Sequence, residues 1–223
     1  MDVLKIGSRR ELFVDRLMLD SQNGACLKLH EPVPGETAIR IDRPWEGCLN
    51  FGGNVIFHDG KYRMYYRAMR PDSPSPSGYQ AVAESTDGIS WTKPRLQEEG
   101  TNFVTAEGQT DVSPVIFLDT RPGVPEEERF KGFCTRCVSG KPHTAYNDPL
   151  GAKYLEFYSS GDGYTFRRMS RQPVMRSNLF NDFDGGCSMF WSEAEGQYVF
   201  YYRYSVVQPS VRGEFRKIGR AHV

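Results

Sequence analysis

The 223-residue sequence lacks most of what would tie a chain to a membrane, a nucleic acid or a metal ion. No stretch approaches the ~18 apolar residues of a spanning helix, and the opening MDVLKIGSRRELFV lacks the apolar core, about 7–15 residues long, of a secretion signal. No membrane partner is expected, and the default location is cytoplasmic. Net charge is absent as well: 28 Lys and Arg balance 28 Asp and Glu. With no global field, nucleic acid and polyanions are not expected partners. The five cysteines are odd in number and scattered, which argues against a disulfide framework. Cys134 and Cys137 have C-x-x-C spacing, but an alternating stretch sends them to opposite faces, and no second Cys or His pair lies near. The four histidines form no ligand pattern. No metal and no cofactor is expected.

Helical periodicity is nearly absent too. The best candidate, PEEERFKGF at 125–133, reads equally well as a turn leading into a strand. What is present instead is a repeat. GKYRMYYR (60–67) and GQYVFYYR (196–203) share Gly, Tyr, Tyr-Tyr and Arg at the same offsets, and ERFKGFCT (128–135) falls midway, a step of 68 residues each time. Each is preceded by a short apolar run: GGNVIF (52–57), VSPVIF (112–117) and GCSMFW (186–191). The first two are followed by YQAVAES (79–85) and YLEFYSS (154–160), then by STDGISW (85–91) and SGDGYTF (160–166), both S-x-D-G-x-[ST]-aromatic. Asp-Gly between strand-like runs marks a hairpin, since Gly tolerates positive φ and Asp bonds the turn backbone.

One unit therefore reads as four antiparallel strands in about 70 residues, one blade of a β-propeller. The expected fold is all-β, with about three of five four-stranded blades present; a β-sandwich is the alternative. The division predicted is 1–50 for N-terminal strands (ELFVDRLML at 11–19, ACLKLHEP at 25–32) and lead-in, 51–110 for blade 1, 111–183 for blade 2 and 184–216 for a partial blade 3. A third D-G turn would be due near position 230, which suggests an N-terminal fragment. Residues 217–223, KIGRAHV, continue no pattern, and Ile218 to Val223 match the translation of a common sequencing adapter. They are read as a non-native tail and set aside from the fold.

In a propeller the first strand of each blade faces the axis, so a functional constellation should recur with the repeat. Aligning Val55, Val115 and Ser188 brings Phe51, Asp111 and Asp184 to one position, four residues earlier. The first blade offers Glu46 and Asp42 nearby. Glycoside hydrolysis needs one carboxyl kept protonated for the leaving oxygen and one ionised to attack or to activate water, and opposed carboxylates push their pKa values apart. Asp111 and Asp184, then Glu46, are the candidate catalytic residues. Trp45, in a loop opening onto the first inner strand, is a candidate sugar platform. Arg67 and Arg203, each after a Tyr-Tyr pair, could clamp a carboxylate or phosphate or serve as salt bridges between blades. Tyr62, Tyr65, Tyr66, Tyr198, Tyr201 and Tyr202 read as packing between blades. Asp87 and Asp162 read as turn residues.

ELFVDRLML, RPWEG (43–47), the Y-x-M-Y-Y-R strand, the S-x-D-G-x-x-W turn and FDGGCSMFW (183–191) together resemble the five-bladed β-propeller glycosidase-like proteins related to glycoside hydrolase families 43 and 32, over roughly residues 9 to 210. The resemblance implies an acidic residue on each of the first three blades. Asp111 matches the second-blade Asp, Asp184 stands near the place of the third-blade Glu, and Asn50 and Asn54 occupy the vicinity of the first-blade Asp. It implies a carbohydrate substrate or ligand met at the axial funnel. Three functions stay open: a hydrolase using paired carboxylates, a noncatalytic carbohydrate-binding propeller and a glycoside phosphorylase. Oligomeric state is not legible.

Overall fold

The computed structural model describes residues 5–7, 11–47, 49–69, 78–108, 114–137, 153–172, 174–177, 182–183, 186–207 and 214–222. The chain divides into two compact units, Met1–Glu36 and Thr37–Val223. In the first, residues 11–36 form no strand, so the strand pairs expected at 11–19 and 25–32 are not present. An alternating pattern decides which face of a strand is apolar, but a strand exists only where a neighbour completes its backbone hydrogen bonds.

Among its described residues the second unit is all-β, built as three sheets. The first joins β1 (Leu49–His58), β2 (Lys61–Met69) and β3 (Tyr79–Ser85) in that order. The free side of β3 is taken by short backbone pairings, Glu84 with Thr92 and Ala81 with Phe103. The second sheet contains β4 (Thr105–Ala106), β5 (Val115–Leu118), β6 (Phe130–Cys137), β7 (Lys153–Ser160), β8 (Thr165–Arg168) and β9 (Met175–Ser177). Its order is β4-β8-β7-β6-β5, with β9 also on β7. The third joins β10 (Ser188–Ser192), β11 (Gln197–Val207) and β12 (Glu214–His222). The segment Glu126–Glu128 is one 3-10 turn that leads into β6. β12 pairs with β11 from Val199↔His222 to Val207↔Glu214, so most of the tail set aside above is part of a sheet. Ladder bonds need only N–H and C=O groups, which any non-proline segment supplies.

Alternation along β2, β6 and β11 sends neighbouring residues to opposite faces, and the 68-residue step preserves the direction. Tyr65 packs in a cluster with Ile116, Phe130 and Tyr158 of the second sheet. Phe133, its equivalent, packs with Met189 and Phe200 of the third. Tyr66, Cys134 and Tyr202 point the other way: Cys134 joins the cluster shared with the first sheet, and Tyr202 joins that shared with the second. Tyr66, together with Ala68, Ala81, Ala83 and Phe103, is covered by Ile39 and Trp45. The three sheets are thus stacked in chain order, each turning one face forward and one back.

The D-G turns do more than reverse the chain. In each, the Asp carboxylate accepts backbone N–H bonds two and three residues on (Ile89 and Ser90 for Asp87, Tyr164 and Thr165 for Asp162, all 2.7–2.8 Å). The preceding serine receives the glycine N–H. The second turn docks on the first sheet, where the Tyr65 hydroxyl donates to the Gly163 carbonyl at 3.0 Å and Tyr164 donates to Glu84.

Candidate functional site

The first strands of the three sheets meet: β5 lies against both β1 and β10. The Asn54 side-chain amide donates to the Ile116 carbonyl, which joins β1 and β5 at nearly equivalent repeat positions. Val55, Val115 and Ser188, aligned by the repeat, are all exposed. Just ahead of them β1 breaks register between Phe51 and Asn54, across Gly52 and Gly53. Such bulges bend a strand and re-aim its side chains. These exposed positions lie on first strands that meet, one of them bulged.

Asp111 and Asp184, the two carboxylates expected there, lie outside the described residues, as does the side chain of Asn50. The residues before Asp184 are described and tightly held. Phe183 is buried at a left-handed φ of 57°. Its N–H donates to the Arg203 carbonyl at 2.9 Å, and its carbonyl accepts from the Thr135 hydroxyl at 3.2 Å. Asp182 accepts from the Ser177 hydroxyl. A non-glycine residue at such φ persists only where its surroundings over-determine it.

Glu46 and Trp45 lie in the segment ahead of β1, packed on the first sheet. Glu46 exposes no surface. One carboxylate oxygen accepts from the backbone N–H groups of Asp42 (3.0 Å) and Arg43 (2.8 Å) and from the Lys93 ammonium (2.8 Å). The other accepts from the Tyr66 hydroxyl. Trp45 donates its indole N–H to Asn102 at 2.8 Å, and Asn102 in turn donates to the Tyr66 oxygen at 2.7 Å. Burial, then the neighbouring carboxylate, pushes the Tyr66 hydroxyl well above the ordinary phenol range. A carboxylate so enclosed pins residues 42–46 to the first sheet. Trp45, half-buried, packs on that sheet.

Arg67 and Arg203 are half-buried in β2 and β11. Tyr65 and Tyr66 are buried, while Tyr198 and Tyr202 pack between the second and third sheets, as expected of packing residues. The Asp87 carboxyl is held down to about 2 by the N–H groups of Ile89 and Ser90, as suits a turn residue.

Two buried ionic clusters were not anticipated. Asp119 exposes no surface; it accepts from the Tyr198 hydroxyl at 2.6 Å and meets the Lys131 ammonium at 3.0 Å, joining the second sheet to the third. Glu156 meets Arg136 at 3.1 Å and Arg168 at 3.2 Å and accepts from Tyr158 at 2.7 Å. In sequence only their place next to or within an apolar strand sets them apart from other charged residues. Among the described residues no group of three or more His, Cys, Asp or Glu could hold a metal ion.

No family model and no curated protein sequence matches the chain. Solved structures do. One, a glycoside hydrolase, superposes with a TM-score of 0.51 at 11% identity over 82% of this chain and 55% of its own. The chain shares the fold of a glycoside hydrolase. A Bombyx mori GH32 beta-fructofuranosidase gives a TM-score of 0.48 at 15% identity over 77% of this chain and 33% of its own. A sucrose-6-phosphate hydrolase from Lactobacillus gasseri gives 0.47 at 15% identity over 84% and 37%. The chain therefore spans between about a third and just over half the length of these proteins.

Proposed function

We propose that the chain is the first three blades of a five-bladed propeller that cleaves glycosidic bonds where the first strands meet, with Asp111 and Asp184 as the paired carboxylates. The observation that carries this reading is the meeting of β5 with β1 and β10, together with the Asn54 bond to Ile116. Those contacts support an axial arrangement in which equivalent repeat positions converge, and Asp111 and Asp184 are equivalent by sequence. The fold shared with a glycoside hydrolase supports the same chemistry.

In that chemistry one carboxyl gives its proton to the leaving glycosidic oxygen as the anomeric C–O bond breaks. The other, ionised, either attacks the anomeric carbon, after which water displaces it and gives one proton back to the acid, or takes one proton from an attacking water and returns it to the acid through solvent; in both cases the water's remaining OH ends on the sugar. Proximity of the two would push one pKa up and the other down, which separates the roles. Asn54, and Asn50 with it, would hydrogen-bond sugar hydroxyls on the first blade.

One observation favours a second reading, a propeller that binds carbohydrate without cleaving it. The first-blade acid nearest the site, Glu46, is enclosed in the structure, leaving amides there. Incubating the product of the intact gene with a panel of oligosaccharides separates the two. Release of reducing sugar supports the hydrolase; retention on a glycan without release supports the binding protein; neither outcome removes both.

A further inference from the structure

We infer that Arg176, with Arg136 and Arg168 beside it, forms an anion subsite on the second sheet that takes the acidic group of a carbohydrate ligand: a carboxylate, sulfate or phosphate ester. The inference rests on the carbohydrate reading above and adds the class of sugar. Three strands build the row. Arg136 of β6 lies opposite Tyr154 of β7, and on the other side of β7 Tyr154 lies opposite Arg176 of β9, so the three side chains share one face. Neighbouring strands are about 4.8 Å apart, which sets the two arginine backbones ~10 Å from each other across the half-buried tyrosine. Two arginine side chains are long enough to close that gap on one anion.

The next residue of β7 on this face is Glu156, which is buried. It meets Arg136 at 3.1 Å and Arg168 at 3.2 Å and accepts from the Tyr158 hydroxyl at 2.7 Å. One carboxylate thus orients two guanidiniums while cancelling a single charge, and both arginine side chains stay partly exposed, 27% for Arg136 and 36% for Arg168. Glu107 reaches the same place and accepts from the Arg168 backbone N–H. Arg176 is exposed and has no ion pair among the described residues. Three guanidiniums therefore face two carboxylates, and the surplus charge is that of Arg176.

The fold does not require these charges. One 68-residue step back, Arg136 corresponds to Ala68, and the Cys134↔Glu156 pair corresponds to Tyr66↔Ala81. Ala68 and Ala81 expose no surface and belong to an apolar cluster. A buried ion pair stabilises no better than well-packed apolar residues, so packing gives no reason for the exchange. A guanidinium fork held ready for an anion does. The row also has a suitable place. β5 begins at Val115, opposite Phe133, and Arg136 lies three residues further along β6, at the end of the sheet from which the chain enters β5. Asp111 precedes that strand in sequence.

Binding of the product of the intact gene to a glycan panel tests this, with neutral oligosaccharides set beside counterparts that carry uronate, sulfate or phosphate groups. Wild type should bind an acidic glycan at least about tenfold more tightly than its neutral counterpart. Arg176→Ala should lose about tenfold for the acidic glycan and little for the neutral one, and Arg176→Lys should keep part of the preference, with thermal melting of both variants unchanged. Equal binding of acidic and neutral glycans would overturn the inference, as would an undiminished preference in Arg176→Ala or no acidic glycan bound at all. Binding of inorganic phosphate that depends on Arg176, with no acidic glycan bound, would overturn it in favour of free phosphate. Reducing-sugar release reads the catalytic proposal separately. Cleavage of neutral glycans alone, unchanged in Arg176→Ala, would remove the subsite and keep the hydrolase; acidic binding through Arg176 without release would do the reverse.

Discussion

Gly163 and Gly88 hold one place in two copies of a turn, at φ +78° and +75°, yet a methyl group should not cost the same at each. A Cβ on Gly88 would meet only the Tyr62 ring at 3.7 Å, an ordinary contact. On Gly163 it would meet the Tyr65 hydroxyl at 2.5 Å and the Phe130 ring at 3.2 Å, both held in the core. Gly88→Ala should therefore cost the left-handed penalty alone, about 1–2 kcal/mol. Gly163→Ala should cost about 3 kcal/mol or more, because the docked tyrosine must move as well. Urea unfolding of both variants measures the difference. At Glu46 the roles of structure and chemistry separate cleanly. Glu46→Gln should lower stability by about 3 kcal/mol, since it leaves the Lys93 ammonium in a half-satisfied pocket, while any oligosaccharide hydrolysis by the intact product, the proposed activity, stays near wild type. A fall in kcat without a fall in stability would return Glu46 to the site. The turn was legible because Ser, Asp and Gly act within four residues. The burial of Glu46 was not, because Tyr66, Lys93 and Asn102, which enclose it, come from distant parts of the chain.

At the level of elements, the junction of the second and third sheets should be sensitive to acid. Burial raises the Asp119 carboxyl, but hydrogen bonds from Tyr198 and the Arg121 N–H, with the Lys131 ammonium, outweigh it and hold the group below its ordinary 3.8. A depressed carboxylate stabilises the fold above its unfolded value, and that contribution is lost as pH falls through the folded value. The junction should therefore weaken only below about pH 4. Asp119→Asn should remove this acid dependence and cost about 1–3 kcal/mol near neutrality, where it leaves the buried Lys131 ammonium with Glu128 alone. Denaturant melts of wild type and variant across that range test both. Strand β3 was read to the residue from its pattern, and β2, β7 and β11 nearly so. The pairings of Thr92 and Phe103, and strands β4 and β9, are too short to carry a period and have no signature before the neighbouring strand is in place. β12 shows the same: its ladder follows from the free edge of β11, not from its own sequence.

For the whole molecule, the order of stacking was legible in the 68-residue step, because a side chain that faces forward in one repeat faces forward in the next. The candidate site was legible only as equivalent positions on first strands that the fold brings together. Among the described residues no helix is long and apolar enough to cross a membrane. Asp111 and Asp184 are proposed to act as a pair on a glycosidic bond. The direct measurement is kcat/KM for oligosaccharide hydrolysis by the product of the intact gene and by its Asp111→Asn, Asp184→Asn and Asp87→Asn variants. The first two should each lose about 10²–10⁴-fold, with folding unchanged, and the turn variant Asp87→Asn should lose little. Wild-type rates in both Asp111→Asn and Asp184→Asn would contradict the account.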